Sequence, residues 1–253
     1  MPAGRFYLEG VTLTPEMEIE LPAEIAHQAR DVLRLAPGDT LRLLDGAGGE
    51  YPAELLVVER KRVMAWLGKR EEVTGAEAPV RVVLCLGMLK AAKYETVLQK
   101  GTELGVAAFV PLLSERAVAA HEEASEAKRR RWAKIVAEAM EQCGGARLPE
   151  LAAPQTLPEA LAALPSSGIA LIPWEEEHTT TLRAALQVAL AGRTAAAMPE
   201  VRLFIGPEGG FSAGEVALAE RHGAIPVTLG PRILRAETAA IVAAALALDA
   251  LKA

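Results

Sequence analysis

The stretch Leu203-Phe204-Ile205-Gly206-Pro207-Glu208-Gly209-Gly210-Phe211 decides how this chain is read. An apolar run of strand type ends in a glycine-rich turn. Ser212 and Glu215 then give the capping-box signature of a helix start, and Gly223 follows that helix at its end. A strand that feeds a helix through a tight turn is the unit of a parallel α/β sheet, where ligands bind at the carboxyl ends of strands. Glycines at that point let main chain approach a ligand closely; a plain tight turn is the competing reading. The turn is not a GxGxxG fingerprint, no acid follows about 20 residues on after another strand, and no Gly-Lys-Ser/Thr follows, which disfavours an ordinary dinucleotide site or a P-loop.

Downstream, Pro226 to Leu229 reads as a strand and Ala236 to Leu251 as the last helix. Between them runs Leu229-Gly230-Pro231-Arg232-Ile233-Leu234-Arg235-Ala236-Glu237-Thr238-Ala239. Two arginines and a glutamate on one short loop are either a structural Arg–Glu pair or an anion or substrate site at a helix N-terminus. Upstream, Val80 to Leu86, Ala107 to Leu113 and Ile169 to Pro173 are strand-like runs. Lys90 to Leu104 is helical, closed by Gly105. Glu126 to Cys143 places Trp132, Ile135, Val136, Ala139, Met140 and Cys143 on one helical stripe, with Ser125 as cap. This alternation predicts a parallel sheet with helices on both faces. Residues 1–74 differ. Arg42 to Leu44, Tyr51 to Glu59 and Val63 to Leu67 are short strand candidates among turn clusters, interrupted by one helical stretch, Ala23 to Arg34. They predict a small β-rich domain of barrel type. The polar stretch Glu71 to Pro79 reads as a linker, which places a second domain over 75–253.

The chain has 253 residues, 51% of them apolar and 24% charged, with a net charge of −6. That excludes a disordered chain. The longest apolar run, Ala239 to Leu248, falls short of the roughly 20 residues of a spanning helix. Met1 to Glu9 lacks the apolar region of a secretory signal. Cys85 and Cys143 are too few for a disulfide framework or metal cage and read as core thiols; the expected compartment is a reducing cytoplasm, with no membrane and no metal. His121, His178 and His222 show no ligand spacing, and His27 reads as a capping or packing residue or part of a motif. Bulk charge does not advertise nucleic acid, so an RNA partner needs a local basic patch. Composition alone favours a small-molecule enzyme.

The two loop segments together, Ile205 to Phe211 and Leu229 to Ala240, closely resemble the SPOUT superfamily of methyltransferases. More narrowly, they resemble its RsmE family, which methylates N3 of a uridine in 16S ribosomal RNA. Further matches run in order along the chain: Arg5-Phe6-Tyr7, His27 with Val32-Leu33-Arg34, Pro37-Gly38-Asp39, Asp45-Gly46, Met88-Leu89-Lys90, Lys100, Thr102 to Val106, Glu141-Gln142-Cys143 and Pro149-Glu150. Three positions depart from the family pattern. Gln28 stands for a second histidine, Gly145 for an arginine (Arg147 lies close by), and Gly101 for an alanine inside a helix.

The resemblance implies an α/β SPOUT-type fold with a C-terminal trefoil knot, preceded by a PUA-like β-barrel that binds RNA. It also implies S-adenosyl-L-methionine as cofactor, 16S rRNA or the small ribosomal subunit as partner, and a homodimer through the knot. The cofactor-binding positions it implies are Ile172, Gly206, Glu208, Gly209, Gly210, Leu229, Gly230, Ile233, Leu234 and Thr238. Arg235 is the candidate for stabilising the uridine anion, with Arg232 second, and Glu237 for orienting an arginine or relaying the proton. Arg5, Arg30, Arg34, Lys90, Lys93, Lys100 and Arg147 are candidates for gripping RNA, and Lys128 to Arg131 form a basic run that is otherwise a solvated face. Three alternatives stay open: a superfamily relative acting on a ribose hydroxyl or on tRNA, a non-catalytic RNA-binding factor, and a dinucleotide-dependent oxidoreductase.

Overall fold

The computed structural model describes residues 4–73, 80–116, 125–191 and 200–251. His121, the expected domain boundary at 74/75 and most of the expected linker lie outside them. The chain forms two compact units. One takes the described residues of Met1–Glu77 together with Met140–Leu148, and the other those of Ala78–Ala139 and Pro149–Ala253.

The first unit is a six-stranded sheet. Its strands are β1 (Arg5–Tyr7), β2 (Glu18–Glu20), β3 (Thr40–Leu44), β4 (Gly49–Val58), β5 (Val63–Leu67) and β6 (Glu71–Glu72). The order is β1-β3-β4-β5-β2, with β6 paired to β4, so the stretch read as linker opens with a short strand. Alternation along β4 sends Tyr51, Ala53 and Leu55 into a core shared with Phe6, Leu41 and Leu67. The helix expected over Ala23 to Arg34 is α1 (Ala23–His27), continued by a π-helical turn over Gln28–Val32. It breaks where Arg34 takes a φ of 56°. The turn after β3 is built on Asp45, which accepts the amides of Ala47 and Gly49 at 2.7 and 2.9 Å and Arg70 Nε at 2.8 Å. Burial pushes the Asp45 carboxyl up, but these three donors outweigh it and hold the group below its ordinary value.

The second unit is a parallel sheet. Strands β7 (Val82–Gly87), β8 (Ala108–Leu113), β9 (Glu150–Leu151), β10 (Gln155–Thr156), β11 (Ile169–Pro173), β12 (Val201–Ile205) and β13 (Ile225–Val227) run in the order β10-β8-β7-β12-β11-β13, with β9 on β8. Every residue of β7 is buried, as a parallel strand covered on both faces requires. The helices are α2 (Ala91–Leu104), α3 (Glu126–Cys143), α4 (Leu157–Ala162), α5 (Leu182–Leu190), α6 (Ala213–Arg221) and α7 (Ala236–Ala250). The predicted caps form: Gly105 ends α2 with φ 101°, Ser125 Oγ accepts Lys128 N, and Ser212 and Glu215 make a reciprocal capping box. Helices α4 and α5 were not expected; Thr156 with Glu159 and Thr181 cap them. Alanines 236, 240, 243, 244 and 247 form the buried face of α7, which packs on α2, α5, β7 and β12.

Two sequence expectations change here. Gly101, a costly residue in a helix, is required: a Cβ there would lie 2.7 Å from the Phe109 ring. Cys85 is a core thiol, pushed up to about 12 by burial, but Cys143 is exposed. The covered stripe of α3 ends at Met140, and the Cys143 thiol turns back to donate to the Met140 carbonyl at 3.6 Å. Among the described residues no helix is long and apolar enough to cross a membrane.

Candidate active site

The loops that follow β11, β12 and β13 leave neighbouring parallel strands at their carboxyl ends, beside the N-terminus of α7. Each loop is held by its own local chemistry. After β12, Gly206 packs on the main chain of Gly210 and Phe211, where a Cβ would meet atoms at 3.0 Å, and Gly210 has a φ of 67°. Gly87, at the end of β7, is packed so tightly that a Cβ would lie 2.5 Å from Pro207 N. Arg116 Nη1 donates to the Gly209 carbonyl at 3.2 Å. Buried Glu215 accepts the amides of Ser212 and Glu115 at 2.8 and 3.1 Å. After β11, Glu177 accepts the amides of Thr179 and Thr180 and the Thr179 hydroxyl. These bonds, the hydroxyl's first, lower its carboxyl to about 2. Thr228 N, in the loop after β13, donates to Thr180 O at 2.8 Å, which ties two of the three loops together.

Between the loops lie two adjoining cavities of about 320 and 350 Å³, within the range of small-molecule sites. Pro173, Glu175, Ile233, Leu234 and Ala239 line both. Leu229 and Gly230 line the first, together with Trp174 and His178. Gly206 to Phe211 line the second, together with Lys93 and Arg235. Ile233 is 87% exposed, an apolar side chain offered to the cavities and not to the core. Four glycines (206, 209, 210 and 230) and the apolar Leu229, Ile233 and Leu234 in the wall suit a planar base approached closely by main chain. Glu175 and Glu208 stand ready for a positive centre.

The charged candidates separate. Arg232 and Arg235 are exposed and make no hydrogen bond or ion pair among the described residues. Glu237 pairs with Lys93 at 3.5 Å rather than with either arginine. Lys93 also reaches Glu208 Oε1 at 3.4 Å, so it sits in the cavity wall. Lys100, seven residues on and so on the same side of α2, is bound to Glu103 of its own helix. Ile172 is wholly buried in β11, so its side chain belongs to the core, and Thr238 is exposed in the first turn of α7. Lys90 has an exposed side chain and gives its amide to Glu208.

In the first unit Arg5 is engaged by Glu50 and by the carbonyls of Gly145 and Glu141. Arg30 is held by Asp31 and the carbonyls of Glu59 and Arg60. Arg34 is exposed, and Arg147 is exposed beside the Ala47 bridge. His27 pairs with Asp31 at 2.6 Å, and its Arg30 and His27 neighbours hold the Asp31 carboxyl far below the usual range. Of the basic run, Arg130 pairs with Glu126, Arg131 with Glu95, and Lys128 lies 5.5 Å over the Trp132 ring. Sequence reading missed Glu175, Arg116, Gly87 and His178. Only Gly87, a glycine closing an apolar strand, carried a local signal.

A small β unit with an α/β unit whose cleft lies at parallel strand ends defines a class, the RNA methyltransferases of SPOUT type. Residues 76–248 match the family model of the RNA methyltransferase domain, and residues 21–64 that of the RNA methyltransferase PUA domain. The chain belongs to the ribosomal RNA small subunit methyltransferase E family. It is 34% identical to the Synechocystis member, with 93% of this chain and 75% of that one aligned. It is 28% identical to the Bacillus subtilis member, over 94% and 93% of the two chains. The Neisseria gonorrhoeae enzyme, solved bound to S-adenosyl methionine, superposes with a TM-score of 0.81 at 32% identity, covering 96% of this chain and 95% of that one. A Legionella pneumophila methyltransferase solved with the same cofactor gives 0.78, also at 32% identity, over 98% and 96%.

Proposed function

We propose that this protein transfers a methyl group from S-adenosyl-L-methionine to N3 of a uridine in 16S rRNA of the small ribosomal subunit. The observation that carries the reading is the cleft itself. Three loops at the carboxyl ends of β11, β12 and β13 wall one glycine-bearing cavity system, and two arginines without partners among the described residues line it. In a member of this family, that is a cofactor pocket facing an RNA site. The residues fit the cofactor. Gly206, Gly209, Gly210 and Gly230 let main chain close on it, and Leu229, Ile233 and Leu234 give its base an apolar bed.

When bound, the cofactor supplies an already activated methyl group. The chain's own task is placement and charge. Holding the uridine in line with the methyl supplies much of the rate. As N3 loses its proton, charge grows on the ring oxygens, and the Arg235 guanidinium stabilises it, with Arg232 as the second candidate. The small β unit, residues 1–74, serves as the RNA-binding domain, and the methyltransferase domain covers 75–253. The strand order, with β12 between β7 and β11 and α7 returning onto β7 and β12, supports a threaded C-terminal trefoil. The exposed Ile233 and apolar α5 support pairing of two chains there. Action on ribosomal RNA puts the protein in the cytoplasm.

Methyl transfer from radiolabelled cofactor tests the reading. The acceptors are naked 16S rRNA and small subunits from a strain that lacks its own enzyme, and the labelled nucleoside is identified by mass spectrometry. Label in N3-methyluridine is expected; label elsewhere or none overturns it.

A further inference from the structure

Lys93 and Glu208 are 115 residues apart in sequence and meet at the wall of the second cavity. Glu208 is held through one oxygen only. Its Oε1 receives the Lys93 ammonium and the Lys90 amide, each at 3.4 Å. Its Oε2 makes no hydrogen bond among the described residues, and the side chain is 28% exposed. Lys93 in turn pairs with Glu237 from behind at 3.5 Å, an ion pair without a hydrogen bond. That carboxylate is 18% exposed, its Oε2 is shut off from solvent, and it does not line the cavity. The three side chains come from α2, the loop after β12 and α7. They form a relay in which a rearward carboxylate fixes an ammonium, and the ammonium fixes a forward carboxylate with one free oxygen. The other charged groups around Glu208 are Arg235 and Glu175 in the same cavity, the exposed Lys90 side chain, and Arg116 on the Gly209 carbonyl.

We infer that Glu208 is the proton acceptor for uridine N3, and that Lys93 is its positioning residue and not an RNA-phosphate contact. This rests on the activity given under Proposed function. The N3–H bond breaks and its proton passes to Glu208 Oε2. The nitrogen electron pair forms the bond to the methyl carbon. The sulfur–methyl bond breaks with its pair going to sulfur, leaving a neutral thioether, and Glu208 then loses the proton to water. The Lys93 ammonium and the Lys90 amide fix one carboxylate oxygen and leave the other turned free, the placement that a general base needs. Glu237 serves the reaction through Lys93 without touching substrate.

The test uses full-length protein, small subunits as acceptor, and kcat and KM measured separately. Cofactor affinity and the salt dependence of RNA binding are measured beside them. Glu208→Gln is expected to lower kcat by about 100-fold, with cofactor affinity within about twofold of wild type. Lys93→Met is expected to lower kcat about tenfold with KM and cofactor affinity within about twofold of wild type, because the carboxylate loses the ammonium that fixes it. Lys93→Arg is expected to restore most of kcat, and RNA affinity keeps its salt slope in both. A Glu208→Gln enzyme with wild-type kcat overturns the assignment. So does a Lys93→Met enzyme with wild-type kcat, or one whose loss appears as weaker RNA binding with a shallower salt slope. A wild-type protein that transfers nothing to the uridine overturns the parent reading instead, so the two failures are distinguishable.

Discussion

In the β unit Arg5, Arg42 and Arg70 each end on carboxylates: Glu50, Glu71, and Asp45 with Glu72. At the strand ends of the α/β unit Arg232 and Arg235 end on nothing among the described residues. The same residue type thus does two kinds of work. A paired, partly buried guanidinium closes a turn or joins two segments, and its charge is already spent. An unpaired one beside a cavity keeps its charge for an anionic ligand. Partner geometry, not residue identity, separates the two.

That contrast breaks most visibly at Arg235. Arg235→Ala is expected to lower methyl transfer by about 100-fold or more while cofactor binding, read as a thermal shift, stays intact. Unimpaired turnover would put Arg235 with the structural arginines. Next comes the loop that faces it. Gly87→Ala forces a methyl group to within 2.5 Å of Pro207 N. It is expected to cost about 1–3 kcal/mol in urea unfolding and to weaken cofactor binding, since Pro207 sits in the cavity wall. Wild-type values for both would mean the strand end yields without moving the loop.

Arg5→Ala probes the other side of the contrast. It removes the tie between Glu50 and the Gly145 carbonyl, and a loss of about 1–3 kcal/mol is expected with the salt slope of RNA binding unchanged. A shallower slope with wild-type stability would make Arg5 an RNA contact after all. Gly101→Ala gains up to about 1 kcal/mol of helix propensity but drives a Cβ into the Phe109 ring, so a modest net loss in unfolding free energy is expected. A gain would show that the ring gives way.

The smallest effect is electrostatic. The Glu177 carboxyl is lowered to about 2 in the folded protein. Its contribution is therefore complete above the unfolded carboxylate value and fades as pH falls from about 4.5 toward 2. Glu177→Gln is expected to flatten that part of the stability–pH curve without changing stability's slope at neutral pH. An unchanged acid limb would detach Glu177 from the β11 loop's stability.

The alternation of strands and helices, the glycine turn and the helix caps were legible because each rests on residues within one or two helical turns. Ser212 with Glu215 forms its box, and Gly105 takes its left-handed cap. The alternating burial of Tyr51, Ala53 and Leu55 is likewise written in the order of residues. The partners of Lys93 were not legible for the opposite reason. Its seven-residue spacing from Lys100 puts both on one side of α2, yet Lys100 meets Glu103 from its own helix and Lys93 meets Glu208 and Glu237 from two other elements. Cys143 was misread because periodicity states which face is apolar and not how far along the helix that face is covered.

The sequence by itself determined the family, the kinds and limits of most elements, and the loops that carry chemistry, because motifs, caps and periodicity are local properties of a chain. Only the tertiary structure decided which charges meet. Strand order brings the ends of β11, β12 and β13 together, sets Glu208 against Lys93, uses up Arg5 on Glu50, and leaves Arg235 open. A charge's role follows from the nearest opposite charge, and for these side chains that neighbour lies dozens of residues away along the chain.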